Sequence, residues 1–213
     1  MLKQVRQWLF PKRQGQAKIK TEQDLLVKLA DVLPSHIRNE DVVFFCIGTN
    51  QISGDCFGPL VGSYLKSNGY TNVMGTIQDP IDAKNIHERI QEIPKDKLVI
   101  AIDAALGTFS FVETFSISSG TLHPGSGIGK TLPPVGDVGI VAVVNLKDWK
   151  SDSLVLTQTS LSTVIPMVIT LSSALMKYLP CASGKTVNLF EEDMEVRAYL
   201  KRLKGEYYSP LLN

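Results

Sequence analysis

The chain has 213 residues, 44% apolar and 20% charged, the proportions of a globular chain long enough to bury one ordinary core. Its formal net charge of +1 supplies no basic or acidic excess, so no nucleic-acid partner is expected. The charge is uneven: residues 1–20 hold six Lys and Arg and no acid, leaving the remainder at −5.

That basic start, 1–20, reads as a solvated arm ahead of a single α/β domain over 21–213. Trp8, Leu9 and Phe10 offer the alternative of a transient surface-binding segment. As an apolar cluster they fall far short of a secretory signal. Residues 21–33 open on Thr21 before an acidic turn and place Leu25, Leu26, Leu29 and Leu33 at helical spacing. Residues 42–48 are a continuous apolar run, which suits a strand covered on both faces in a parallel sheet. Asp55 to Pro59 leads into Leu60, Val61, Tyr64 and Leu65, a helix closed by Asn68-Gly69. The pattern predicts a short strand over 73–77 and a helix over 81–93, ending near Pro94. Residues 98–102 form another buried strand, ending at Asp103. Residues 112–118 alternate like an edge or antiparallel strand. A Gly/Pro-rich loop covers 119–137, and 138–144 make the last strong strand.

Residues 153–176 are free of charge and long enough to span a bilayer, yet hold ten Ser, Thr or Gln residues and Pro166. They read as a loop running into a buried helix over 162–178, with Pro166 near its first turn. No membrane partner is expected. A linker over 181–188 and a polar amphipathic helix over 189–203 complete the chain. Strands alternating with helices, the strands wholly apolar, mean a three-layer α/β sandwich with a mostly parallel twisted sheet. Cys46, Cys56 and Cys181 have neither metal spacing nor a pairing pattern and read as reduced thiols in the cytoplasm.

Ligands of open α/β sheets sit beyond the carboxyl ends of the strands, and two segments place an acid there. The first strand empties through Gly48 and Asn50 to Asp55, near the start of the next helix. The 98–102 strand delivers Asp103 at its tip. If the two strands are neighbours, the carboxylates converge, and two carboxylates in one site do not both ionise readily. The ionised member can then take a proton from water while the protonated one polarises a carbonyl. The plainer alternative makes Asp55 a helix N-terminal acid and Asp103 a loop cap.

Gly129-Lys130-Thr131 matches the end of a phosphate-binding loop, but Pro124 replaces its first glycine and Pro133-Pro134 forbid the helix it requires. The backbone of 125–129 is better suited to cradle a substrate or an oxyanion. Cys56 beside Asp55, with His123 as base, makes a cysteine hydrolase conceivable, against the commoner fate of a buried small hydrophobe. His36 and His87 read as solvated.

Cys46-Ile47-Gly48-Thr49-Asn50, then Gly54-Asp55-Cys56-Phe57-Gly58-Pro59, then Ala101-Ile102-Asp103-Ala104, then His123-Pro124-Gly125-Ser126-Gly127-Ile128-Gly129 recur in that order in one superfamily. Over roughly 40–180 the chain resembles the spore germination proteases and the small sporulation proteins grouped with them. More distantly, it is similar to the hydrogenase-maturation endopeptidases. The resemblance implies a phosphorylase/hydrolase-like fold and a role in the developing spore of a spore-forming bacterium. It places the two essential acids of the germination proteases on Asp55 and Asp103. In the hydrogenase-maturation enzymes the corresponding acids, with a histidine matched to His123, contact the nickel-type metal of the substrate. The expectation is an aspartate-dependent endopeptidase needing no cofactor, with Asp55, Asp103 and His123 catalytic. Gly48, Asn50, Gly125, Ser126, Gly127 and Gly129 would meet a protein or peptide substrate. A non-catalytic sporulation protein using the fold for binding or regulation is the alternative.

Overall fold

A computed structural model describes residues 18–125, 132–147 and 151–181. Thr21 begins helix α1 (Glu22–Val32) with a capping box: its side chain accepts from the Asp24 N–H, and the Asp24 carboxylate accepts from the Thr21 N–H. Leu25 and Leu29, one turn apart, face the core and are fully buried. Strand β1 (Val42–Cys46) is buried at every position, as its unbroken apolar run requires. Helix α2 (Phe57–Ser67) stops at Asn68, after which Gly69 takes the left-handed conformation, φ 88°.

Strands β2 (Val73–Met74), β3 (Leu98–Gly107), β4 (Thr114–Ser119) and β5 (Val138–Leu146) complete one sheet in the order β2-β1-β3-β5-β4. Every pairing is parallel except β4 with β5, which makes β4 an antiparallel edge strand. Helices α1, α2 and α5 (Leu161–Tyr178) bury Leu29, Phe57, Val61 and Leu171 against the Phe44, Ile100 and Ile102 face of the sheet. Helix α3 (Ile86–Gln91) covers the Phe45 and Ala101 face, joined by Ile81, Leu122 and Val135. These are the three layers and the mostly parallel sheet that the alternation of strands and helices predicts.

The boundaries depart from expectation in four places, each for a local reason. Strand β2 ends at Met74 because Gly75 turns with φ 87° to bring its backbone against Cys46, where a Cβ would lie 1.9 Å from the Cys46 carbonyl oxygen. The helix expected over 81–93 begins only at Ile86. Ile81 instead bridges Ile47, and the Asp82 N–H donates to the Asn85 side chain, which itself donates to the Pro80 carbonyl. Strand β3 does not end at Asp103 but runs on to Gly107, because β5 continues beside it as far as Leu146. The stretch expected to be loop before the last helix contains α4 (Asp152–Thr157), whose N-cap Ser151 accepts from the Leu154 N–H.

By length and composition α5 could cross a membrane, but here it packs Val164, Val168, Leu171 and Leu175 into the core. Residues 1–17 of the basic arm, the loop 126–131, and all but residue 181 of the linker and helix expected over 181–203 lie outside the described residues.

Candidate active site

The order of the sheet decides where a crevice opens. From β1 the chain goes through α2, on one face, to β2. From β2 it returns through α3, on the opposite face, to β3 on the other side of β1. The winding therefore reverses between β1 and β3, and the crevice at their carboxyl ends is the place where such sheets bind ligands.

Asp103 sits at that crevice. Cys46 of β1 pairs with Ile102 of β3, and the Ile47 N–H donates to the Ile102 carbonyl at 2.7 Å, the last such bond between the strands. Asp103 is the next residue. Strand alternation puts its side chain on the side of Val99 and Ala101, and it is only 8% exposed. Its Oδ1 accepts from the Ala104 N–H at 2.8 Å. Burial and then the charge of Asp55 push its carboxyl well above the ordinary carboxylate range, against the opposing effect of that N–H.

Asp55 arrives from the loop after β1. Gly48, with φ 140°, folds this loop so closely that a Cβ there would lie 1.9 Å from the Asp55 carbonyl oxygen. The half-buried Asp55 carboxylate accepts from the Thr49 N–H at 3.1 Å, closing the 49–55 loop on itself. Since Gly48 follows Ile47, and Ile47 is bonded to Ile102, the loop carries Asp55 to the neighbourhood of Asp103. There the charge of Asp55 adds to burial in raising the Asp103 carboxyl.

The loop is fixed at a second point. Ser53 Oγ donates to the Thr159 carbonyl at 2.6 Å and lies 3.0 Å from that of Thr157, and the Gly54 N–H donates to the Leu156 carbonyl at 2.9 Å. Thr49 and Ser53 hold the loop that carries Asp55, a part the sequence reading did not give them. Thr49 acts through its main chain, and Ser53 through partners about a hundred residues away, so neither leaves a local pattern.

The other expected residues are distributed as follows. Gly48 is buried in the turn just described. Asn50 is exposed, its amide donating to the Ile77 carbonyl at 2.9 Å. Leu122 pairs with Val135, and its side chain packs on Gly139, on the sheet face shared by Asp103. His123 follows Leu122 and is exposed, Pro124 is buried, and Gly125 takes φ 69°. Among the described residues no three His, Cys, Asp or Glu side chains gather closely enough to hold a metal ion, so the structure does not bring His123 into one ligand set with the two acids. Ser126, Gly127 and Gly129 lie outside the described residues, as does Lys130. The cysteine alternative loses its basis. Cys56 is buried, its Sγ donates to the Ser53 carbonyl at 2.9 Å, and burial with the adjacent Asp55 charge pushes its thiol up to about 11. His36 and His87 are both exposed.

Fold and site together define an α/β protein with a pair of coupled aspartates, one buried, at the switch point of its sheet. The chain belongs to the family described as "Protein of unknown function (DUF1256)", whose sequence profile matches residues 17–174. It is 38% identical, over 156 residues, to the "Uncharacterized protein YyaC" of Bacillus subtilis (strain 168), covering 70% of this chain and 76% of that protein. Among solved structures, the NiFe hydrogenase maturation protease HycI from Thermococcus kodakarensis KOD1 superposes with a TM-score of 0.48 at 20% identity, over 72% of this chain and 99% of its own.

Proposed function

We propose that the protein is an aspartate-dependent endopeptidase working in the cytoplasm of the developing spore, with Asp55 and Asp103 sharing the work of activating water. The observation that carries this reading is the buried Asp103 at the crevice, its carboxyl pushed well above the usual range by burial and by the charge of Asp55. In this reading the Asp55 carboxylate, steadied by the Thr49 N–H, takes a proton from water as the water oxygen bonds to the peptide carbonyl carbon. Asp103 gives its proton as a hydrogen bond to the carbonyl oxygen, where negative charge develops. As the carbon–nitrogen bond breaks, the proton held by Asp55 passes to the leaving amine. His123, exposed beside the same sheet face, orients a substrate carboxylate at the rim. The motif resemblance to the germination proteases supplies the spore setting and a protein or peptide as substrate.

The test is incubation of the purified chain with small acid-soluble spore proteins and with a randomised decapeptide library, products being read by mass spectrometry. Site-specific cleavage is expected, falling by about a hundredfold or more in each of Asp55→Asn and Asp103→Asn. Cleavage that survives both substitutions removes the acids from the mechanism. No cleavage, with proteins still captured, would assign the fold to binding or regulation instead.

A further inference from the structure

A cavity opens on the face of the sheet opposite Asp103. Phe115 of β4 packs with Phe44, Ile100 and Ile102, whereas Asp103 turns to the side of Ala101, and β5 stands between β3 and β4. Edge strand β4 and the N-terminal half of α5 enclose about 280 Å³ there, near the lower end of ligand pockets, roughly 300–1,000 Å³. Phe115 and Met167, each 5% exposed, and Pro166 give it an apolar lining. Half-buried Thr163 and Thr170 add oxygens that accept hydrogen bonds, the Thr170 hydroxyl donating its own proton to the Pro166 carbonyl at 2.8 Å.

Two opposite charges, Lys20 and Glu113, line the same cavity. Among the described residues neither enters an ion pair, with the other or with a third group. Both are fixed through the main chain. The Lys20 N–H donates to the Asp24 carboxylate at 3.2 Å, and one residue earlier the Ile19 carbonyl accepts from the Phe115 N–H at 2.8 Å. The Glu113 N–H donates to the Val143 carbonyl at 2.8 Å. Glu113 is also alone among the described non-glycine residues in taking a left-handed conformation, φ 60°. Glycine makes such a turn without strain, so a charged side chain there points to a use beyond the turn. An ammonium and a carboxylate that share a cavity without meeting leave room for a ligand with one charge of each sign.

We propose that this cavity binds a free α-amino acid with an aliphatic side chain. The ligand's ammonium meets Glu113, its carboxylate meets Lys20, and its side chain lies against Phe115, Pro166 and Met167. The flexible thioether of Met167 adapts to the length of that side chain. The interior of a polypeptide carries neither terminal charge, so the ligand is a single amino acid and not a stretch of protein. The site lies apart from the paired acids and does not depend on their chemistry.

Leucine is the probe, and the full-length chain labelled with carbon-13 at its methionine methyls reports on it. The Met167 signal, assigned by its disappearance in Met167→Leu, should shift saturably with millimolar leucine. The signal of Met74, on the other face of the sheet, should stay in place. Two analogues keep the side chain and one charge each: 4-methylpentanoate lacks the ammonium and isopentylamine lacks the carboxylate. Each should bind about tenfold or more weakly than leucine, as should leucine to Glu113→Gln and to Lys20→Gln. Both substitutions are at exposed positions, and an unchanged Met74 signal checks that the fold is intact. No saturable shift of Met167 with leucine overturns the proposal. An equal response to leucine and both analogues, or undiminished binding in both charge variants, overturns it as well.

Discussion

An acid whose pKa is higher in the folded than in the unfolded chain binds more protons when folded. Ionising it costs stability as pH rises from the ordinary carboxylate range through the raised value. Asp103 is such an acid, with burial first and Asp55 second as the causes. Asp103→Asn keeps an oxygen for the Ala104 N–H and removes the charge. It should melt at a higher temperature than wild type at pH 8, the difference narrowing as pH falls through the raised value and closing below about 4, where the carboxyl is neutral in both states. In an Asp55→Asn background the difference should be smaller and level off at lower pH, as thermal melts of the wild type, the two single variants and the double variant across pH would measure. The cysteines give a separate check. With its thiol pushed up to about 11, Cys56 should stay unmodified by iodoacetamide at pH 7.5 while the half-buried Cys181 reacts, as peptide mapping would show. Cys56→Ser should retain cleavage. The two acids were legible because each follows an apolar run that can only be a buried strand. Their neighbours Thr49 and Ala104 were not, because a main-chain N–H leaves no trace in a side-chain pattern.

Among the elements, the loop between β1 and α2 depends most on a single residue. Gly48 combines φ 140° with a backbone approach that leaves no room for a side chain. Gly48→Ala should cost about 2–3 kcal/mol by denaturant titration, since both the conformation and the contact are lost. Cleavage should suffer beyond that loss, because the displaced atom belongs to Asp55. The strands were read correctly where burial on both faces dictates an unbroken apolar run, as in β1 and the first half of β3. The reading failed where pairing decides and composition does not. Asp103-Ala104-Ala105-Leu106-Gly107 has no strand signature of its own and is extended because β5 lies alongside it. The late start of α3 has the same character: Asp82 and Asn85 engage the backbone of a turn that periodicity alone does not register.

For the molecule as a whole, alternation of strands and helices predicted the layers, while the strand order that creates the crevice between β1 and β3 became visible only in the fold. The same long-range dependence places the acid loop under the control of the chain's last described helices. Removing the Ser53 hydroxyl tests this. Ser53→Ala should lower stability by about 1 kcal/mol, the ordinary worth of a hydrogen bond, and lower the cleavage rate by more than that stability change explains. Melting temperature and initial rate, measured on the same preparation, separate the two.

The tether from Ser53 and Gly54 to the carbonyls of residues 156–159 also has a consequence for synthesis. Contacts so distant along the chain close late. A nascent polypeptide still emerging from the ribosome carries both aspartates long before it carries their anchor. Until residues 156–159 have emerged and docked, the loop that carries Asp55 lacks that anchor, so the candidate site is completed only after synthesis has passed them.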